Sequence, residues 1–467
     1  VGVGLAAALL RVLVPYAARF TPRAFEIGLD APVLLFTLGV SVVVGLASGT
    51  LPLVGMTRDL ATGLRARGDG GQARGRGGRA ERGLVVAQVA VSVVLLAAAG
   101  LAVRSMIELS RVDAGYKPEQ VLSLRVTPSR ERYQRPEDRV AVTTRIVTDM
   151  RALPGVSGVA LVAAVPLGED GRMSHGMLIQ GRAVGPNEVA PQAEMQIVSA
   201  DYFSTIGVPL MKGRTFDEHD RLGTEEVAVI SRSLAQRYWR DSDPLGARIS
   251  PDGGDTWLRV VGVAGDVRDH ALDQNPIDVF YVSFAQTPGG ANVLLRTTGD
   301  PATLAGRATA AVRAIDPDMP VDNVRTLLEI RLNSLAPRRL TASLLTLFGF
   351  LALLIAAAGI GGVLAFSVSQ RTREIGVRLA LGAQRSEVLG LVLRQGGAMV
   401  GLGLVIGTIG AVWLAQFMQG LVFGIGPRDP ATLAAVCLTL GAVGVVASLG
   451  PARRATAVDP VIALRNG

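Results

Sequence analysis

The chain of 467 residues is 49% hydrophobic and carries a net charge of +8, with 56 glycines and only 4% aromatic residues. A mean hydropathy of +0.38 and the excess of glycine over aromatics argue against one water-soluble globule and for apolar helices packed closely in lipid. Lys117 and Lys212 are the only lysines and the arginines cluster beside apolar runs, so the charge reads as membrane topology and not as a nucleic-acid surface; Cys437 stands alone, which excludes an internal disulfide and a cysteine metal site.

In chain order, Val1–Val14 is apolar but short for a span, Val33–Val54 is long enough to cross a bilayer, and Gly45 with Gly49 forms a GxxxG pair for helix packing. The chain begins with Val1 and shows no signal peptide, so it reads as a fragment. Arg58–Arg82 is rich in Gly and Arg and reads as a flexible linker, the arginines placing the start of the next span, Leu84–Val103, on the cytoplasmic side.

From Glu108 to Pro337 no run is long enough to span, and charges, prolines and short β-rich runs mark a water-soluble α/β domain. Strands are expected at Val121–Val126 and Val156–Val165 around a helix at Asp138–Leu153, and again at Val293–Thr297 and from Val321 around a helix at Pro301–Ile315. Two β-α-β halves imply a small split sheet covered by helices. Between them, strands are expected at Leu210–Phe216, Val227–Ile230, near Ile249 and at Val260–Val263, with a helix at Ser233–Arg240. Phe216–Asp220, FDEHD, reads as a solvated acidic loop, with a metal loop as the sharper alternative.

Leu340–Phe366, Leu389–Phe417 and Ala431–Leu449 are three further spans, and Gly403 with Gly407 forms a second GxxxG pair. Between the first two lies SQRTREIGVRLALGAQRSEV, Ser369–Val388. Its spacing is helical: Glu374 and Arg378 stand four apart, and Ile375 and Leu379 share one face. It reads as a short amphipathic helix at the membrane surface, its apolar face resting on the interface or on a partner protein. No phosphate loop, HExxH zinc motif or nucleophile elbow occurs, and Gly359, Gly361 and Gly362 lie within a span as packing residues.

The run Arg373-Glu374-Ile375-Gly376, followed by Ala380-Leu381-Gly382-Ala383, resembles the loop between the second and third spans of the MacB/FtsX-like ABC permease family, where it forms the helix that meets the ATPase. MKGRTF, VAVISRSLAQRYW, DPLGARI and VVGVAGDVRD resemble, in order, pieces of the periplasmic domain of that family. The resemblance implies the following organisation: residues 1–56 as the last spans of a first FtsX-like unit, 57–83 as a cytoplasmic linker, 84–107 as a transmembrane helix, 108–337 as a MacB-like periplasmic α/β domain of two subdomains with the inserted one at about 200–267, and 338–467 as an FtsX-like domain of three spans with a cytoplasmic coupling helix. Asp59, Leu64 and Arg65 recur as Asp459, Leu464 and Arg465, so the chain is similar to the C-terminal part of the duplicated orphan permeases of the family.

The function implied is that of a permease subunit in the bacterial inner membrane, coupling ATP hydrolysis by a separate cytoplasmic ATPase to movement of the periplasmic domain, in efflux or mechanotransmission. Arg373, Glu374, Ile375, Gly376, Arg378, Leu379, Gly382 and Arg385 are the expected ATPase-coupling residues. No cofactor is expected in this chain, since ATP sits on the partner. Beyond the ATPase, the expected partners are the lipid bilayer and a second permease unit or a periplasmic adaptor protein. A membrane-anchored periplasmic scaffold or receptor without an ATP-driven cycle is the alternative.

Overall fold

The computed structural model describes residues 31–42, isolated positions before residue 50, and residues 74–456 apart from 169–172, 183–190, 371, 373–374, 376, 379–380, 382–383, 418–421 and 427. It divides into two compact units: Arg111–Leu335, and a helical unit formed by Val1–Ser110 with Ala336–Gly467. Gly45, Gly49 and most of the 57–83 stretch lie outside the described residues.

The first long helix, α1, spans Arg74–Ser110 and so begins inside the stretch expected to be a flexible linker. Once the apolar span has nucleated a helix, each further residue costs little. Arg79-Ala80-Glu81-Arg82 are good helix formers that prolong it outward.

In the unit Arg111–Leu335 the chain forms β1 (Val121–Val126), α2 (Pro136–Arg151) and β2 (Val156–Val162). Proline at the first turn of α2, with Glu137 and Asp138 beside it, suits a helix start, where a missing N–H costs nothing and negative charge meets the helix dipole. There follow β3 (Met173–Gly176), β4 (Leu178–Ile179), β5 (Gln192–Val198), α3 (Tyr202–Ile206), β6 (Leu210–Gly213), β7 (Val227–Ser231), α4 (Arg232–Tyr238), β8 (Arg248–Ser250), β9 (Leu258–Ala264) and β10 (Val279–Ser283). The unit closes with β11 (Ala291–Thr297), a 3-10 turn at Pro301–Leu304, α5 (Ala305–Ile315), β12 (Val321–Thr326) and α6 (Leu327–Ser334).

The sheet order begins β12-β1-β11-β2, with β11 antiparallel to both β1 and β2. The two β-α-β halves are therefore interleaved, each supplying a strand between or beside those of the other. Their shared core joins Leu122, Leu124 and Val293 of the sheet to Ile146 and Met150 of α2 and Val312 of α5. Burial of such residues, each worth about 1.5–3 kcal/mol, is what holds the helices on the sheet. At the β12 edge the register slips: Ser123 faces Arg325 and Arg125 faces Asp322, with Asn323 at φ 48° in the bulge.

The order continues β2-β5-β10-β7-β9-β8-β4, with β5 and β10 parallel and β7 and β9 parallel. The insertion between the two halves thus runs from the end of β2 to the start of β11, wider than the block expected at 200–267. Its own core joins Ile230, Leu234, Ile249, Val260 and Phe280. β5 and β10 were not expected as strands, yet they pair with each other, and β5 meets β2 through Val162 and Val198.

The helical unit adds α7 (Ala336–Gln370), α8 (Arg385–Phe417) and α9 (Pro430–Thr456). Among the described residues, four helices are long and apolar enough to cross a membrane: α1, α7, α8 and α9. A shorter apolar helix covers Ala31–Val42. α1 packs against both α7 and α8, and α9 packs against both as well, whereas α7 and α8 scarcely touch and lie across a diagonal of the bundle. At one end of α1, Arg104 forms an ion pair with Asp429, and the Ser105 hydroxyl accepts the Phe423 N–H at 2.8 Å, so the turn between α8 and α9 is fastened to α1.

The candidate coupling segment

α7 and α8 position the segment that joins them. The start of α8 has half of a capping box: the Glu387 carboxylate accepts the Gln384 N–H at 3.3 Å, while the Glu387 N–H closes a turn onto the Gln384 carbonyl at 3.0 Å. At the other side, the Thr372 hydroxyl donates to the Val368 carbonyl at 3.1 Å, carrying the helical path of α7 past its last residue.

Of the expected coupling residues, Ile375 and Arg378 are fully described, Arg385 is described as the first residue of α8, and Arg373, Glu374, Gly376, Leu379 and Gly382 lie outside the described residues. Ile375 is buried at 5% exposure in one apolar cluster with Val85 and Val89 of α1, Leu364 of α7, Val388 and Val392 of α8 and Ala452 of α9. Its side chain is therefore turned into the bundle, among residues of the four spans. The outward side is formed instead by Val377 at 38% exposure, by Arg378, and by Leu381 at 83%. The Leu381 N–H donates to the Val377 carbonyl at 3.0 Å, so these two apolar side chains stand one helical turn apart. Val377 and Leu381 were absent from the expected contact residues; their spacing of four was the signal for them.

The glycines of α8 mark how the spans meet. A Cβ on Gly403 would lie 2.6 Å from Val89 Cβ, and one on Gly407 would lie 2.6 Å from Val93 Cβ and 2.8 Å from the Ala90 carbonyl oxygen. Only glycine lets α8 come this near to α1. On the other side of α1, the Ser92 hydroxyl donates to the Ala352 carbonyl of α7 at 3.0 Å, and Gln88 rests against Gly359.

The acidic loop Phe216–Asp220 has a different occupation. Asp220, with its side chain 5% exposed, accepts two guanidinium N–H groups of Arg214 at 2.6 and 2.9 Å and the Asp217 N–H at 2.9 Å. The loop is closed by an arginine, and among the described residues no group of three His, Cys, Asp or Glu side chains is set to hold a metal ion.

The model of the MacB-like periplasmic core domain matches residues 83–320, half of the chain, and that of the FtsX-like permease C-terminal domain matches 346–460. The chain belongs to the MacB/FtsX-like ABC permease family. Within the family, it is 25% identical over 392 residues to the uncharacterized ABC transporter permease YknZ of Bacillus subtilis, covering 80% of this chain and 91% of YknZ. It is 26% identical over 351 residues to the macrolide export ATP-binding/permease protein MacB of Marinobacter nauticus, covering 70% of this chain and 50% of that protein. The chain thus spans about half the length of this MacB relative. Among solved structures, the periplasmic region of MacB from Actinobacillus actinomycetemcomitans aligns with 48% of this chain and 96% of its own, at 12% identity and a TM-score of 0.32. The extracellular domain of YknZ aligns with 44% of this chain and 100% of its own, at 18% identity and a TM-score of 0.29. A permease of this family with four apolar helices is a membrane protein, built of spans and a water-soluble α/β domain.

Proposed function

We propose that this permease works in the bacterial inner membrane with a separate cytoplasmic ABC ATPase, and that ATP-driven movement of the ATPase is passed through the segment between α7 and α8 to the α/β domain outside. The observation that carries this reading is the exposed turn Val377-Arg378-Leu381 on the short link between two spans. An exposed apolar pair flanking an arginine is costly to leave in water and suits a protein groove. YknZ, which the chain matches over most of its length, is named as a permease, which supports ATP binding on another chain. Arg373, Glu374, Arg378 and Arg385 would add charged contacts to that groove. The MacB relatives are named for macrolide export, so efflux is one output of the movement, and mechanical signalling to a periplasmic partner is the other. A second permease unit or a periplasmic adaptor would complete the assembly.

The test is capture of the full-length protein from its native membrane in mild detergent, followed by an ATPase assay of the eluate. The expected result is a bound ATPase whose activity the permease raises, with Leu381→Glu and Arg378→Glu each reducing its recovery. Recovery unchanged in both variants refutes the docking assignment, and absence of any ATPase turns the reading toward a binding scaffold.

A further inference from the structure

We propose that Ile375 is a peg through which displacement of the coupling segment reaches the membrane bundle, a positioning residue acting on α7 and α8 and not a contact to the ATPase. This rests on the coupling function proposed above. Its support is geometric. Thr372, Val377, Arg378, Leu381 and Gln384 of the same segment are half-buried or exposed, while Ile375 alone among the segment's described residues is buried. It belongs to a cluster to which all four spans contribute side chains, Leu364 of α7 and Val388 and Val392 of α8 among them.

The bundle layout gives this position its leverage. α7 and α8 lie across a diagonal with little direct packing, so the chain between them straps one to the other. Near the strap, the two helices are also linked by the Gln395 amide donating to the Ser367 hydroxyl at 3.4 Å, a long hydrogen bond, and Leu364 lies against Gly396. Beside Ile375 lies a small cavity of about 10 Å³, lined in part by Ser367, Val368 and Gln395. Close-packed side chains pass on displacement because there is no free space to absorb it. A pull on Val377 or Leu381 from below therefore moves Ile375, and Ile375 moves α7 against α8. The exposed residues hold the ATPase; the buried one transmits.

The experiment separates holding from transmitting. In the full-length protein, Ile375→Ala is compared with the unmodified chain for ATPase recovery and for the permease-dependent rise in ATPase activity. Recovery stays as in the unmodified chain, since Val377, Arg378 and Leu381 are untouched. The stimulation falls by about fivefold or more, the lower range for a coupling between distinct sites, and Ile375→Val restores most of it. As a second measurement, Ser367→Cys with Gln395→Cys in a Cys437→Ala background is bridged by a short, reducible bis-methanethiosulfonate to fix α7 to α8. The fixed protein binds the ATPase without stimulating it, and reduction restores stimulation. Normal stimulation in Ile375→Ala, or in the cross-linked pair, overturns the peg while leaving the coupling function standing. Loss of ATPase recovery in Ile375→Ala also overturns it, since that residue then serves docking. Absence of an ATPase from the unmodified protein overturns both proposals together.

Discussion

Gly407→Ala tests whether α8 depends on glycine for its approach to α1. The added methyl would lie 2.6 Å from Val93 Cβ, 2.8 Å from the Ala90 carbonyl oxygen and 2.9 Å from Ala90 Cα. Ordinary carbon contacts fall at about 3.5–4.0 Å, so the helices must part by about 1 Å. Two of the three obstructing atoms are backbone, and no rotamer change removes them. Overpacking of this kind costs about 1–3 kcal/mol, a change of about 5-fold to 150-fold in the ratio of folded to unfolded protein. Gly401→Ala is the matched control: the same substitution on the same helix, with nothing within 4 Å of the new methyl. The gain in helix propensity, about 1 kcal/mol, is common to both and cancels in the comparison. The assay is reversible unfolding of the full-length protein in detergent titrated with SDS, followed by Trp413 fluorescence with Trp239 and Trp257 changed to Phe. Coincident midpoints for the two variants refute the close-approach argument.

Arg214→Met leaves the Asp220 carboxylate, 5% exposed, without its bidentate partner. Breaking a buried pair costs about 3–5 kcal/mol, and the 41% exposure of Arg214 lowers this to about 2–3 kcal/mol. For a unit of this size the melting temperature should fall by roughly 4–12 °C, read by circular dichroism; a shift under about 2 °C would show that the loop does not lean on this pair. In the loop after β8, hydrogen bonds from Thr256, through its hydroxyl and its N–H, and then from the Ser250 hydroxyl, hold the Asp252 carboxyl at a pKa of about 2. Because the folded value lies below the ordinary one, the stabilisation is complete above the normal carboxylate range and is lost as pH falls from about 4 toward 2. Asp252→Asn should flatten that part of the acid-stability profile, and an NMR titration placing this carboxyl near 4 would contradict the assignment.

Much of this architecture is legible in the sequence because its signals are local. A run such as Leu340–Phe366 declares a span by length and composition, and Val121–Val126 declares a strand by alternation, Leu122, Leu124 and Val126 entering the core with Ser123 and Arg125 between them. β5 escapes notice because QAEMQIV mixes polar and apolar residues, and its Gln196 is buried only because its side-chain amide bonds both backbone groups of Ala164. β10 differs: its run Val279-Phe280-Tyr281-Val282 is a local strand signal that the expected elements left out, and it lies between β5 and β7. The segment between α7 and α8 shows the same limit at the candidate site. Its helical spacing was readable, but Ile375 and Leu381 are both apolar, and which of them points into the bundle depends on where α1, α8 and α9 leave room. That choice is made by distant parts of the chain.

The central place of α1 sets an order of events during synthesis. The carbonyl of Ala352 that receives Ser92 and the glycine faces that fit Val89 and Val93 belong to helices encoded after the whole of Arg111–Leu335. At about 5–20 residues per second, the ribosome needs roughly 10–45 s to make that stretch. For this interval α1 must remain in the bilayer without its later neighbours, which its long apolar run allows. On the topology proposed above, slow or failed export of the α/β unit would leave α1 in the membrane without the neighbours that cover its faces.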